Sequence, residues 1–274
     1  EITELELNGF YGYRVTNDML QNLDRLTSLR QLSLIESQVN NDAIPQLLRL
    51  PQLQALDLER SRIDDEALRI LATAPQLKQL VLDETKVTAE GLMHLMSLNT
   101  LTEVHLNRCR MDDASLASLG AFPRLERLEL GGTRVRFENE IGPGGFASLK
   151  YLNVNGSTVA DSGLVVLAKL PELRWLDLTL CQVGNAGIKS LSTGCKLEVL
   201  YLNCTSITDE ALSHLASIQT LQVLSVHSTS VTDEGLQHLS DMKNLKSLVL
   251  FGTQTTAPAI QKLQLKLPQC EIVR

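Results

Sequence analysis

A chain of 274 residues with 43% hydrophobic and 4% aromatic content is long enough for two ordinary domains, so length alone leaves the domain count open. Its net charge of −7 and pI near 5.3 oppose nucleic-acid binding, which needs a basic stripe against the phosphates. No apolar run approaches the roughly 20 residues of a membrane-spanning helix.

In chain order, Ile2, Leu5 and Leu7 alternate with other residues and predict a first strand. No cap precedes that strand, which predicts further sequence upstream. Phe10-Tyr11-Gly12-Tyr13 follows, and reaching Val15 takes three residues more than the later pattern needs. A bulged loop is expected there, either shielding the first layer or offering aromatic side chains to a partner. From Leu29 onward one 24-residue phrase recurs, with starts at Leu29, Leu53, Leu77, Leu101, Leu125, Leu149, Leu173, Leu197, Leu221 and Leu245. Residues 197–220 and 221–244 show it most plainly, as LEVLYLNCTSITDEALSHLASIQT and LQVLSVHSTSVTDEGLQHLSDMKN.

Within each copy the first six residues alternate, so Leu200 and Leu202 point one way and Tyr201 the other, as in a half-buried strand. Position 11 is Val or Ile nearly throughout, as in Val39, Ile63 and Val231, and apolar residues recur at positions 16, 19 and 22, one face of a short helix. Position 12 supplies helix caps: Asn40, Asp64, Thr88, Asp112, Thr208, Thr232 and Thr256. A single copy cannot bury its own apolar face, so successive copies must stack, pairing their strands in parallel and merging their leucines into one core. The unbroken period argues for a single domain over 1–274, with a partial copy at 1–28, ten repeats from 29 and a closing strand at 270–274.

Departures from the phrase are informative. Pro45 falls inside the first helix pattern, which makes Asp42 the expected cap there. Pro51, Pro75 and Pro123 mark return turns. In the fifth repeat Glu140 and Pro143 stand where core leucines belong, so 136–147 is expected to be a helix-free loop anchored by Phe146. The last repeat has Thr256 as cap, Pro258 in the first helical turn and one extra residue, which places Cys270 and Val273 at the start of the closing strand.

Position 9 carries Ser37, Ser61, Thr85, Cys109, Thr133, Ser157, Cys181, Thr205, Thr229 and Thr253, a small-residue ladder. With the frame L-x-x-L-x-L and the Thr-Asp-x-Gly/Ala-Leu helix starts, the chain resembles the leucine-rich repeat superfamily. It looks like the bacterial 24-residue repeats and, more distantly, the cysteine-containing repeats of F-box receptor proteins. The resemblance implies an α/β fold, a right-handed leucine-rich-repeat solenoid or horseshoe with a concave parallel β-sheet and convex short helices.

Little in the sequence points to chemistry. His94, His214 and His238 share position 18, on the outward side of the helices, where solvent exposure is expected. Cys109, Cys181 and Cys270 read as buried filler, while Cys195 and Cys204 are candidate reactive thiols. The five cysteines show neither zinc spacing nor a disulfide framework, which favours a reducing, cytoplasmic compartment. No nucleophile is paired with a base by any motif and no phosphate-cradling glycine loop follows a strand, so no catalytic residue, metal or cofactor is expected.

Surfaces are more telling. Positions 3, 5 and 7 face the concave side, and in the second half they hold Tyr151, Trp175, Asp177, Tyr201, Asn203, His227 and Phe251. Aromatic side chains outside the leucine core read as a partner-binding surface, the alternative being cross-strand stacking that stiffens the sheet. The first half holds acids instead, chiefly Asp57, Glu59, Asp83, Glu103 and Glu129, which would steer a basic segment toward the aromatic half. Taken together, these features predict a non-enzymatic scaffold binding a protein or peptide on its concave face. The alternatives are the substrate-recognition part of a ubiquitin-ligase adaptor, implied by the F-box-like repeats, and a secreted or surface adhesion module. Asn155-Gly-Ser157 and Asn203-Cys-Thr205 have the form of glycosylation sequons, though the repeat itself generates that spacing.

Overall fold

A computed structural model describes residues 1–9, 14–139, 141 and 145–274. Phe10-Tyr11-Gly12-Tyr13 and, within the 136–147 loop, Glu140 and residues 142–144 lie outside the described set. The chain forms two compact units, Glu1–Thr133 with Ile141–Ser148, and Arg134–Glu140 with Leu149–Arg274.

The first unit carries strands β1 (Glu4–Glu6), β2 (Gln31–Ser33), β3 (Ala55–Asp57), β4 (Gln79–Val81), β5 (Glu103–His105) and β6 (Arg127–Glu129), with helices α1 (Ile44–Leu47), α2 (Asp65–Leu71), α3 (Ala89–His94) and α4 (Asp113–Gly120). Each strand pairs in parallel with the next. Gln31 faces Ala55 and Ala55 faces Gln79, a step of 24, whereas Glu4 faces Gln31, a step of 27, so the first copy is longer by the expected three residues. Ile2 lies outside β1 and is exposed.

The second unit repeats the plan with β7 (Tyr151–Asn153), α5 (Asp161–Leu167), β8 (Trp175–Asp177), α6 (Asn185–Leu191), β9 (Val199–Tyr201), α7 (Asp209–Leu215), β10 (Val223–Ser225), α8 (Asp233–His238), β11 (Ser247–Val249), α9 (Ala257–Lys266) and β12 (Glu271–Val273). In both units the ten repeat-opening leucines are at most 8% exposed, so the aliphatic side chains at positions 1, 4 and 6 form the core as the pattern requires.

Two ladders run along the copies. At position 9, Thr85, Thr133, Thr205, Thr229 and Thr253 each donate their hydroxyl to the carbonyl three residues earlier, at 2.6–2.7 Å, which satisfies a buried polar group inside its own turn. Cys109 and Cys181 instead reach back one copy, to the carbonyls of Leu82 and Val154 at 3.1 and 3.2 Å. The second ladder was not read from the sequence. The position-13 side chain of one copy receives the position-12 N–H of the next: Thr88 N–H donates to Asp65, Gly184 N–H to Asp161, Thr232 N–H to Asp209 and Thr256 N–H to Asp233, at 2.6–2.7 Å. Asn40, Asp64, Asp112, Thr232 and Thr256 also cap their own helices through the side chain, whereas Thr88 and Thr208 do not.

This ladder explains a pairing of residue types. Where position 13 is Asp65, Asp161 or Asp209, position 15 of the next copy is Gly91, Gly187 or Gly235, and a Cβ there would run into the carboxylate. Where position 13 is Asn41 or Asn185, the corresponding residue is buried Ala67 or Ala211. Two pairs depart from this: Asp113 is followed by Asn139 in the helix-free fifth repeat, and Asp233 by Ala259, which lies in the longer closing helix α9 and is not fully buried. Gly235→Ala is expected to cost about 1–3 kcal/mol by overpacking, and Asp209→Ala in the same chain, which removes the carboxylate that the new Cβ meets, to add less than its own separate cost. Urea denaturation of the two single variants and the double variant checks this, and additive losses would contradict it.

Two sequence expectations need correction, and two features went unread. Asp42 is not the first helix cap: Asn40 accepts the Asp42 N–H at 3.0 Å and opens a 3-10 turn, Asn41–Ala43, which brings Pro45 into the first turn of α1. In the closing strand the extra residue is absorbed by the return turn, where Gln264 donates to the carbonyls of Leu267 and Cys270. Ile272, not Val273, therefore stands beside Leu248, and Val273 is 43% exposed, while Cys270 is buried as expected. In the fifth repeat the described residues contain no helix and Phe146 is fully buried, as read, but Phe137 is fully buried too. Finally, position 8 takes a left-handed conformation, with φ of 52–60° at Glu36, Arg60, Glu84, Arg108, Leu180, Cys204 and Ser228, although only Gly132, Gly156 and Gly252 advertise it.

Candidate functional site

Alternation in the second unit sends positions 3 and 5 of each strand to the sheet face opposite the leucines. Tyr151 faces Trp175 across β7 and β8, and Asp177 faces Tyr201 across β8 and β9. The rings meet. Tyr151 and Trp175 stack with centroids 3.8 Å apart and planes at 13°, and Trp175 leans on Tyr201 at 5.4 Å and 54°. These three aromatics, all half-buried, make one platform on the open face.

His227 and Phe251 form a second pair, with centroids 5.2 Å apart, and the His227 Nδ1 lies 2.8 Å from the Phe251 carbonyl. Phe251 is 61% exposed. Beside that row, Leu180 is 62% exposed in its left-handed conformation, an apolar side chain held outward where the first unit has charged residues. Sequence reading passed over Leu180, although a leucine at position 8 was the signal. Asn203 is half-buried and tied to its neighbours: its Oδ1 accepts from Ser225 Oγ and the His227 N–H, and its Nδ2 donates to Thr179. Asp177 accepts the Thr179 N–H at 2.8 Å. The sequon hydroxyls of Ser157 and Thr205 are buried in the position-9 ladder.

The acids of the first unit divide into two groups. Arg60 bridges Glu36 and Glu84 at 2.7 and 3.0 Å, and Arg108 also reaches Glu84 at 2.8 Å, a charge-alternating row along position 8. Arg127 binds Glu129 at 2.6 Å and Glu103 at 3.3 Å, and His105 is 2.7 Å from Glu103. Glu129 is only 6% exposed, so it is not part of an exposed acidic surface. Asp57, Glu59 and Asp83 lie together as a second group, in which Glu59 is 3.6 Å from Arg60, Asp83 accepts from the Asn107 N–H and Nδ2, and Asp57 lines a shallow depression of about 300 Å³ that also touches Glu4 and Glu6. Burial holds all three carboxyls above their ordinary range, and a neighbouring carboxylate adds to it in each case: Asp83 at Asp57, Asp83 with Asp57 and Glu84 at Glu59, and Glu129 at Asp83.

A carboxyl raised in the folded state binds protons more tightly there than in the unfolded chain, so stability falls as pH rises through that raised value and stays lower above it. Asp57→Asn should therefore raise the melting temperature at neutral pH and flatten the acid side of the stability profile. Asn is sterically suited, because Asn153 at the equivalent position accepts the Asn155 N–H at 2.9 Å as Asp57 accepts the Glu59 N–H at 3.0 Å. Thermal melts between pH 4 and 8 check this, and a lower melting temperature for the variant would contradict it.

Other candidate groups resolve simply. His94 and His238 are exposed, whereas His214 is partly buried with Nε2 lacking a hydrogen bond. Burial pushes the Cys195 thiol up to about 11, and its Sγ sits 2.8 Å from the Leu191 carbonyl, both of which disfavour the reactive thiolate. Cys204 is exposed. Among the described residues no group of three His, Cys, Asp or Glu side chains could hold a metal ion, and no helix is long and apolar enough to cross a membrane.

Parallel strands stepping by 24 residues, a leucine core, a position-9 ladder and short helices on the other side define a repeat scaffold, and the comparisons name it. The leucine-rich repeat region family matches residues 2–162, and a leucine-rich repeat matches residues 171–192. The chain belongs to the leucine-rich repeat family. It is similar to the crystal structure of an internalin from Listeria monocytogenes, with a TM-score of 0.59 and 20% identity over 99% of this chain and 86% of that one, a likeness of fold alone. No curated protein matches it. As a class, stacked leucine-rich repeats present extended binding surfaces, and the chain is a protein-interaction module of that kind.

Proposed function

We propose that the chain is a non-enzymatic scaffold that binds a protein or peptide on the open sheet face, with Tyr151, Trp175 and Tyr201 as the anchor and His227, Phe251 and Leu180 extending the contact. One observation carries this reading: the only tryptophan and two tyrosines gather on the face that does not pack into the leucine core. Rigid amphipathic rings are the side chains that dominate binding hot spots. Nucleic acid is a poor partner for a chain of net charge −7.

Asp57, Glu59 and Asp83 have a different task, the steering of a basic segment during encounter. Reversing two charges, Asp57→Lys with Glu59→Lys, is expected to slow association about tenfold at low salt and flatten its salt dependence, leaving dissociation nearly unchanged. Surface-bound kinetics at several salt concentrations test the steering, and an unchanged association rate would contradict it. The anchor itself is tested by truncating Trp175.

A further inference from the structure

We propose that the anchor recognises an arginine side chain of the partner, its guanidinium laid against the Trp175–Tyr201 pair and held at its edge by the Asp177 carboxylate. This rests on the open-face reading above and gives the partner's chemistry.

The register supplies the first argument. Asp177 and Tyr201 are direct neighbours across β8 and β9, and Trp175 precedes Asp177 by two residues on the same face. Neighbouring strands lie roughly 4.8 Å apart, so a carboxylate and two aromatic rings stand side by side on one face, within the reach of a single planar cation laid across them. Aromatic faces are electron-rich and attract cations.

Geometry supplies the second. Tyr151 covers one side of Trp175 in a near-parallel stack, whereas Tyr201 meets Trp175 at 54°, an open angle instead of a closed sandwich. Beside this angle the row continues as Val199 opposite Trp175 and Val223 opposite Val199, two short apolar side chains where the preceding strands carry rings. Such a step down suits the alkyl stem of an arginine, with the charged head directed toward Tyr201 and Asp177.

Charge is the third. Positions 3, 5 and 7 along β7 to β11 hold Asp177 and His227 but no lysine or arginine, and β12 adds Glu271 to the position-3 row. A guanidinium fits better than an ammonium, because a planar ion can stack on a ring and donate in-plane hydrogen bonds to a carboxylate at once.

Trp175 is the only tryptophan, so its fluorescence reads this site directly. Titrating the whole chain with acetyl-arginine amide is expected to give a saturable change. Acetyl-lysine amide should bind at least about 3-fold more weakly, and the uncharged isostere acetyl-citrulline amide at least about 10-fold more weakly. Asp177→Asn should reduce arginine affinity by about 5- to 10-fold with little change in melting, and Tyr201→Leu should reduce it while leaving the charge in place. No saturable change with the arginine probe, or lysine or citrulline binding as tightly as arginine, overturns the proposal. If the arginine probe fails while Trp175→Ala still loses the protein partner, the chemistry named here is wrong and open-face binding stands. If Trp175→Ala keeps the partner, both fall.

Discussion

Replacing Phe137 by alanine is expected to destabilise the chain by about 3–5 kcal/mol, and Phe146→Ala by a similar amount, the range for emptying a fully buried aromatic site. Both rings are 0% exposed. They belong to the one repeat whose described residues lack a helix, and its two missing core leucines are replaced in sequence by Glu140 and Pro143. Phe137 also holds a left-handed φ of 57°, a conformation that a bulky residue keeps only when the surrounding structure compensates. The carbonyl before it leaves no room for a Cβ at Gly163, so helix α5 packs directly against this segment within the second unit. Urea denaturation of Phe137→Ala, with Arg136→Ala as an exposed neighbour, separates the effects. A loss under about 1 kcal/mol for Phe137→Ala would mean that the ring fills no site the fold needs.

Phe137 also shows where sequence reasoning stopped. Leucines at positions 1, 4 and 6, the Ser/Thr/Cys ladder and the helix spacing were legible because each was written about ten times, and repetition separates a rule from an accident. Phe137 occurs once, in a segment with no counterpart in other copies, so no pattern marked it as core. The ties of Asn203 and Glu129 went unread for a related reason. Their hydrogen bonds run to Ser225 and His227 of the next copy in one case and to Arg127 on the same strand in the other, and spacing within a single copy reveals neither. The left-handed position 8 was hidden because Glu, Arg, Leu, Cys and Ser hold it in most copies without glycine. By contrast, the meeting of Trp175 and Tyr201 on adjacent strands followed from alternation and period alone. Their stacking with Tyr151 is compatible with stiffening the sheet as well as with binding, and only magnitudes separate those roles.

Trp175→Ala is expected to weaken binding of the partner by at least about 2 kcal/mol, roughly 30-fold, while changing stability far less. An aromatic pair contributes about 0.5–1.5 kcal/mol beyond its area burial, which bounds what the Tyr151 and Tyr201 contacts add to folding. Trp175 lies on the face away from the core, so its removal opens no cavity among the leucines. A structural ring would give the opposite division, with lower stability and near-normal affinity for the molecules that remain folded. The direct measurement is the dissociation constant of a partner captured by the intact chain, determined for the parent and for Trp175→Ala below the melting transition of both. Open-face binding predicts a loss of about 30-fold or more with melting nearly preserved, and equal affinity for every captured partner would contradict it.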